Sequence, residues 1–459
     1  MKRKLISALL CAAMATTLLA GCGGKTTDTN KANNASSNNE AKDGGDVLNI
    51  YVWNTEWQER VVAYYPNYEK VDDTTGKIGD VTVNWVITAN QDNAYQNKLD
   101  EALDNQATAK DDDKVDIFLI EADYALKYVD TPDALPLSEL GLDDSVFANQ
   151  YQYTKDVVTD SNGQLKGASW QGCPGALIYN REIAKKVLGT DDPAKVQEAV
   201  SDWDKYAETA AKMQAAGYFM TAGATDSYRV FSNNVSSKWV VDGKINIDPN
   251  IKKWVDMTKE QADKKQINSA SSYNLWQEDW KKGFFTDTAN VFCYFGPAWF
   301  IDFSMSCDQD GSVGSAGGWA VTQGPQGFFW GGTWICAANG TDNKDLVADI
   351  IKTMTTDPTV LSKIVEEKSD FVNDQTIMEK YAKDEKFGNK YLGGQNPYGI
   401  FASGVSSVSL ANQSAYDQGC NEEFQNAMTD YFAGKATYEE ALQTFYNKIT
   451  AKYPDIKAE

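Results

Sequence analysis

Val47-Leu48-Asn49-Ile50-Tyr51-Val52-Trp53 is a run of β-forming residues that stops at Asn54, and the segment after it has a different period. Trp57, Val61, Tyr64, Tyr65 and Tyr68 recur at helical spacing, which predicts an amphipathic helix. A turn-rich Asp72-Asp73-Thr74-Thr75-Gly76 then leads to a second strand, Val81 to Thr88, and the three segments predict a βαβ unit. A further helix carries Tyr95, Leu99, Ala102 and Leu103 on one face. Next comes Val115-Asp116-Ile117-Phe118-Leu119-Ile120, whose nearly unbroken apolar character suits a strand covered on both sides. Strand alternating with helix predicts an α/β fold with a parallel sheet.

Ligands of open α/β sheets gather beyond the carboxyl ends of the strands. That rule selects Trp53, Asn54 and Glu56 after the first strand, and Glu121 and Asp123 after the third. Asp123 suits the N-cap of a helix equally well.

Past Pro132 and Pro136, Lys166-Gly167-Ala168-Ser169-Trp170-Gln171 leads to a short strand, Ala176 to Asn180. A helix from Asp202 to Ala216 begins a second α/β lobe. Trp276 and Trp280 stand at i, i+4 on a helical stretch, a spacing that packs one face inward. The strand Ala289 to Phe295 runs into Gly296-Pro297-Ala298-Trp299. Then comes Phe328-Phe329-Trp330-Gly331-Gly332-Thr333-Trp334-Ile335-Cys336-Ala337-Ala338, two indoles flanking a Gly-Gly pair that lets the backbone bend sharply. This stretch suits the wall of a binding crevice, and it suits core packing interrupted by a turn. Leu346, Val347, Ile350, Ile351 and Met354 form a helical apolar face closed by Asp357-Pro358. A Gly- and Ser-rich segment from Gly393 to Ser409 is expected to pass between lobes, and Thr437-Tyr438-Glu439-Glu440 is a capping box opening the last helix.

The 459 residues call for two domains or more. Lys2, Arg3 and Lys4 before the apolar Leu5 to Ala20 read as a secretory signal. It ends in Leu19-Ala20-Gly21-Cys22, which resembles a bacterial lipobox with Cys22 as the lipidated residue. Residues 23–45 lack hydrophobic periodicity and are expected to form a disordered tether. The chain is therefore expected outside the cell, anchored to the membrane and not spanning it. A net charge of −22 leaves no clustered cations for nucleic acid. The sequence contains no histidine, which removes Ser-His-Asp and Cys-His catalysis and most zinc sites. Phosphate-binding glycine motifs are missing as well. Beyond Cys11 and Cys22, the cysteines Cys173, Cys293, Cys307, Cys336 and Cys420 form no CxxC pair.

Binding chemistry is better represented. Trp 13, Tyr 23 and Phe 18 include several aromatics at strand ends beside Asn, Gln, Asp or Glu. A sugar ring has an apolar face for an aromatic plane and a rim of hydroxyls for carboxylates to accept.

The order of these features resembles the extracellular solute-binding proteins of carbohydrate ABC importers, the group often called family 1. The likeness runs from Val47 to Ile449 and rests on lipobox, tether, Tyr51-Val52-Trp53-Asn54, Tyr179-Asn180, Gly-Pro-x-Trp and Gly-Gly-x-Trp-Ile. It implies an α/β, two-lobed, periplasmic-binding-protein-like (type II) clamp with a multi-strand hinge. Lobe 1 would hold residues 46–150 and 339–394, and lobe 2 residues 151–338 and 395–459. By position, Trp53, Asn54, Glu56 and Asp123 would face Trp170, Gln171, Trp299, Trp330 and Trp334 across the cleft, with Trp276 and Tyr416 beside them. The resemblance further implies a monomer with no cofactor, no metal and no catalytic residue. It would close on a carbohydrate and present it to a membrane permease. Alternatives are a lipid-anchored glycan hydrolase, a glycan adhesin, or a binding protein for a cationic solute.

Overall fold

The computed structural model describes residues 44–269, 278–405 and 408–458. The chain first lays down β1 (Val47–Val52), β2 (Tyr68–Lys70), β3 (Thr75–Ile78), β4 (Val81–Ile87) and β5 (Ile117–Glu121). β1 lies between β4 and β5 and is parallel to both, the arrangement of a βαβ start. Ile117, Phe118, Leu119 and Ile120 are all buried, so the apolar run does form a strand covered on both faces.

One helix ends earlier than the periodicity of its sequence suggests. The helix Glu56–Tyr64 stops before Pro66, whose ring disfavours helical backbone in the preceding residue; Tyr65 accordingly has φ −74 and ψ 128. Asn67 then turns the chain at φ 61. Tyr68 therefore belongs to β2 and not to the helix, and Thr75-Gly76 opens β3 in place of a plain turn. The outer part of the sheet is an antiparallel pair of edge strands.

The second lobe contains β6 (Pro174–Asn180), β7 (Thr221–Gly223), β8 (Val240–Val241), β9 (Lys244–Ile245), β10 (Ile267–Ser269), β11 (Cys293–Pro297), β12 (Trp319–Thr322) and β13 (Phe328–Phe329). β6 is its axis: every residue is buried, β11 runs antiparallel on one side, and β12 followed by β13 runs antiparallel on the other. β7 and β10 form a small parallel pair. The helix Trp203–Ala215 is capped by Asp202, whose side chain accepts the Lys205 N–H.

β14 (Thr333–Ala337) then re-enters the first sheet, antiparallel to β5. The full order of that sheet is β14-β5-β1-β4-β3-β2. Both sheets lie within one compact unit. Between β13 and β14 stand only Trp330, Gly331 and Gly332, with φ of 73 at Gly331 and 101 at Gly332, a region that disfavours any side chain. The chain thus rejoins the first sheet at Thr333, ahead of the Asn339 boundary expected from the family, because β14 is needed to cover the free edge of β5. Two further segments run alongside. Ala168 pairs with Ile335, and Gln171 pairs with Val372.

Towards the end of the chain, Asp357-Pro358 closes the helix Lys344–Thr356 and also opens a second one, Pro358–Lys368. Proline lacks an N–H that the first helical turn does not use, so it starts a helix as readily as it stops one. The Gly- and Ser-rich stretch contains a helix, Tyr398–Val405, which packs on β6. The final helices are Asp417–Phe432 and Tyr438–Lys452, the latter with both hydrogen bonds of its capping box formed. Cys173, Cys293, Cys307, Cys336 and Cys420 are free and buried. No described helix is long and apolar enough to cross a membrane.

Trp334 is 2% exposed and its indole N–H donates to the Thr154 carbonyl at 2.7 Å. Trp334→Ala is expected to cost about 3–5 kcal/mol of folding stability through the cavity it leaves, measured by denaturant unfolding. A loss below about 1 kcal/mol would place the indole outside the core.

Asp116, fully buried ahead of β5, accepts the Asn49 N–H at 2.7 Å and the Thr341 hydroxyl at 2.5 Å. Burial pushes its carboxyl up to about 6 from 3.8, against the pull of those donors. Its contribution to stability is therefore full below about pH 4 and lost as pH rises through about 6, a change of at most about 3 kcal/mol. In melts taken from acid to neutral pH, Asp116→Asn should flatten that decline relative to wild type. Parallel profiles would contradict the assignment.

Candidate functional site

A cavity of about 190 Å³ opens where the end of β5 faces the second lobe. From the first lobe it receives Glu121, the last residue of β5, and Asp123 just beyond. From the second it receives Thr225, Asp226 and Arg229, which follow β7, together with Trp280, Tyr294, Phe295 and Trp330. Glu121 and Asp123 stand at the end of β5 and Thr225, Asp226 and Arg229 beyond the end of β7, as the rule for open sheets requires, while Trp280 comes from a short helix and Tyr294 and Phe295 from within β11.

Local hydrogen bonds set each side chain. Glu121 Oε2 accepts the Asp123 N–H at 2.7 Å, so Glu121, not Asp123, caps the short turn Ala122–Tyr124. The Asp123 carboxylate is left to pair with the Arg229 guanidinium, one oxygen to each terminal nitrogen. This bidentate pair spans the two lobes. Asp226 Oδ2 accepts the N–H groups of Ala222 at 2.9 Å and Gly223 at 3.0 Å, and its Oδ1 accepts the Trp280 indole N–H at 2.9 Å. Burial pushes the Asp226 carboxyl up to about 6, with these donors pulling the other way. The Glu121 carboxyl is also pushed up, first by burial and then by the Asp123 charge, while Arg229 pulls it down.

The aromatic wall is continuous. Trp280 meets Tyr294 and Phe300 edge-on at 5.6 and 5.7 Å, and Phe300 lies 5.7 Å from Trp330. Trp299 packs edge-on to Trp330 at 5.6 Å and donates to its carbonyl at 3.3 Å. The Arg229 guanidinium stands 6.0 Å from the Trp330 ring, within cation–π range.

The residues selected from the sequence divide into three groups. Asp123 and Trp330 line the cavity, with Trp299 half-buried directly against Trp330. Trp53, Asn54, Glu56 and Gln171 lie elsewhere. Trp53 is half-buried and edge-on to Tyr95 and Tyr124 at 5.5 and 6.4 Å. Asn54 accepts the Glu56 N–H at 3.0 Å. The Glu56 carboxylate receives Gln171 Nε2 at 2.9 Å and Arg60 at 3.3 Å, and Gln171 also reaches Asp370 at 3.1 Å. That cluster ties the first helix to the connecting segments. Burial raises the Glu56 carboxyl, with Arg60 opposing. The third group packs: Trp170 is fully buried, Trp334 is core, and Tyr416 is edge-on to Tyr453 at 5.1 Å. Trp276, Cys22 and most of the expected tether lie outside the described residues.

Arg229, Asp226, Thr225 and Tyr294 were not selected. The strand-end rule reaches the first three only if Thr221-Ala222-Gly223 is recognised as a strand, and three residues with a single β-branched side chain, Thr221, are too short a run to show a period. Tyr294 lies inside a strand, where sequence alone cannot tell a cavity-facing ring from a core one.

The profile of the bacterial extracellular solute-binding protein family matches residues 68–366. Among curated proteins none matches at a significant level. Solved structures share the fold. A protein described as extracellular solute-binding protein family 1 is 17% identical, with TM-score 0.69 over 88% of this chain and 99% of its own. The ABC transporter associated binding protein from B. animalis subsp. lactis Bl-04, in complex with beta-1,6-galactobiose, is 19% identical, with TM-score 0.66 over 91% of this chain and 100% of its own. The galacto-N-biose-/lacto-N-biose I-binding protein from Bifidobacterium longum, in complex with lacto-N-biose, is 12% identical, with TM-score 0.62 over 92% and 100%. With two α/β lobes, a cavity fed by strand ends from both, and a family profile covering most of its length, the chain belongs to the bacterial extracellular solute-binding proteins.

Proposed function

We propose that this protein captures a carbohydrate, an oligosaccharide by the sequence reading, between its lobes and delivers it to the permease of an ABC importer. Cys22 carries the lipid that holds it at the outer face of the membrane. The observation that supports this reading best is the composition of the cavity. An aromatic wall of Trp280, Tyr294, Phe295 and Trp330 stands beside carboxylates and a guanidinium drawn from both lobes. Aromatic planes cover the apolar faces of sugar rings, and charged groups bond their hydroxyls at roughly 1.5–3 kcal/mol each. Two or three such bonds plus stacking reach about −8 kcal/mol, a micromolar affinity. The beta-1,6-galactobiose and lacto-N-biose in the two sugar-bound structures of this fold support the same reading.

The mechanism follows from where the contacts lie. A ligand touching Glu121 and Asp123 on one side and Asp226 and Trp330 on the other gains both sets only when the lobes are together, so binding favours closure. Nothing in this cycle requires a covalent step.

Small-angle scattering with a sugar that raises the melting temperature should show a smaller radius of gyration than the free protein. Compaction absent at saturation would remove the clamp, and cleavage products would make the protein a hydrolase. Trp330→Ala should weaken sugar binding about tenfold or more by titration calorimetry. Cys22→Ala should move the protein from the membrane fraction of expressing cells to the soluble fraction, and unchanged membrane retention would remove the anchor.

A further inference from the structure

Asp123 and Arg229 border a second space between the lobes, of about 40 Å³, whose chemistry differs from that of the aromatic cavity. Its other polar lining comes from the second lobe. Asn233 follows the helix Tyr228–Ser232, Asn412 lies in a loop, and Asp417 and Asn421 stand one turn apart on the helix Asp417–Phe432. Among its described lining residues there is no indole.

Three amides in this pocket are each held one way round. Asn233 Oδ1 accepts the Phe329 N–H at 2.7 Å. Asn421 Oδ1 accepts the Tyr228 hydroxyl at 2.6 Å and the Trp239 indole N–H at 2.9 Å. Asn412 Nδ2 donates to the Val235 carbonyl at 2.8 Å. A backbone or indole N–H only donates and a carbonyl only accepts, so none of the three can be turned over without breaking its bond. What remains is the NH₂ groups of Asn233 and Asn421 and the carbonyl oxygen of Asn412. All three residues are half-buried, and among the described residues none of these groups has a partner or is sealed from solvent. Asp417, whose Oδ1 accepts the Ser414 hydroxyl at 2.6 Å, adds a further acceptor. Every one of these bonds is made within the second lobe, so the pocket's face is set before the lobes meet.

Fixed donors beside fixed acceptors select for a group that is both. An anion would meet Asp123 and Asp417, and a cation could use neither NH₂ group. A hydroxyl accepts from an amide NH₂ and donates to a carbonyl or carboxylate at once. The volume has room for about three water-sized groups, so it takes the hydroxyl edge of a ring and not the ring itself. A ring stacked on Trp330 in the first cavity reaches the amides only past the Asp123–Arg229 pair that borders both spaces, so the hydroxyls that reach them belong to the next residue.

We infer that this pocket is a second subsite, built on the second lobe, that takes two hydroxyls of a neighbouring sugar residue, and that the ligand is a disaccharide or longer lying across the Asp123–Arg229 pair. This rests on the sugar-binding reading above.

The test is titration calorimetry of the full chain with maltose, cellobiose, beta-1,6-galactobiose and lacto-N-biose, each beside its constituent monosaccharides. The disaccharide that binds should do so about tenfold or more tightly than its own monosaccharides. Asn233→Asp and Asn421→Asp keep the oxygen that faces Phe329 or Tyr228 and Trp239 and replace only the NH₂ group, so in either variant that ratio should fall towards one. A monosaccharide binding as tightly as its disaccharide, or a ratio unchanged in both folded variants, overturns the subsite and leaves the sugar reading standing. A panel silent throughout overturns the sugar reading and the subsite with it. Because the wild-type comparison needs no variant, it holds even if both variants fail to fold.

Discussion

β5 is buried on both faces and has a neighbour on each edge, β1 from the same lobe and β14 arriving from the other. A strand in that position leaves no backbone group to water, so each edge has to be occupied. The occupant of the second edge is what forces the chain to come back after building β6 to β13. The return is made in three residues, Trp330-Gly331-Gly332, and the geometry there is tight. A Cβ on Gly331 would come within 3.2 Å of the Trp299 ring, and one on Gly332 within 3.0 Å of the Trp334 ring. The indoles thus pack against backbone that only glycine leaves open. The same strand that imposes this crossing ends in Glu121, so the sheet's most constrained element also delivers a carboxylate to the cavity.

Contacts between the lobes are polar where they face the cavity. Besides Asp123 with Arg229, Gln418 donates to Asn93 at 3.2 Å and accepts from Gln96 at 3.2 Å. Groups of this kind bond water almost as well as each other, so holding the lobes together through them contributes little net free energy. An ion pair such as Asp123–Arg229, part-buried on both sides, gives up hydration for a Coulomb gain of similar size. Apolar packing runs on through the connecting segments, where one buried cluster joins Leu48 and Ile50 of the first sheet to Ile178 and Val321 of the second.

How far the sequence could be read depended on the kind of signal. Long apolar runs gave β1, β4 and β5 their places, and the residues just after β5 followed from topology alone. Prolines were harder, because Pro66 ends a helix and Pro358 begins one, and the two look alike until the cap residue is known. The tryptophans were hardest. Trp330 and Trp334 flank the same glycines, yet one lines the cavity and the other donates to a buried carbonyl. What separates them is strand membership: Trp334 lies within β14 and faces the core, while Trp330 lies in the turn between two sheets. That boundary is drawn by pairing with β5, more than two hundred residues earlier in the chain, which no local pattern contains.

The fold leaves the ligand open. Structures under a fifth identical share the fold and were solved with different sugars, so the fold by itself does not fix a ligand. Glu121, at the end of β5, and Asp226, in the turn after β7, show how position decides which donors a carboxyl meets. Asp226 sits inside its own turn, where the N–H groups of Ala222 and Gly223 and the Trp280 indole surround it, and it fixes Trp280. Glu121 spends one oxygen on the Asp123 N–H, which frees the Asp123 carboxylate for Arg229, and keeps the other turned from every described donor. Two carboxyls of like chemistry in one cavity therefore differ in how many donors the surrounding chain gives them.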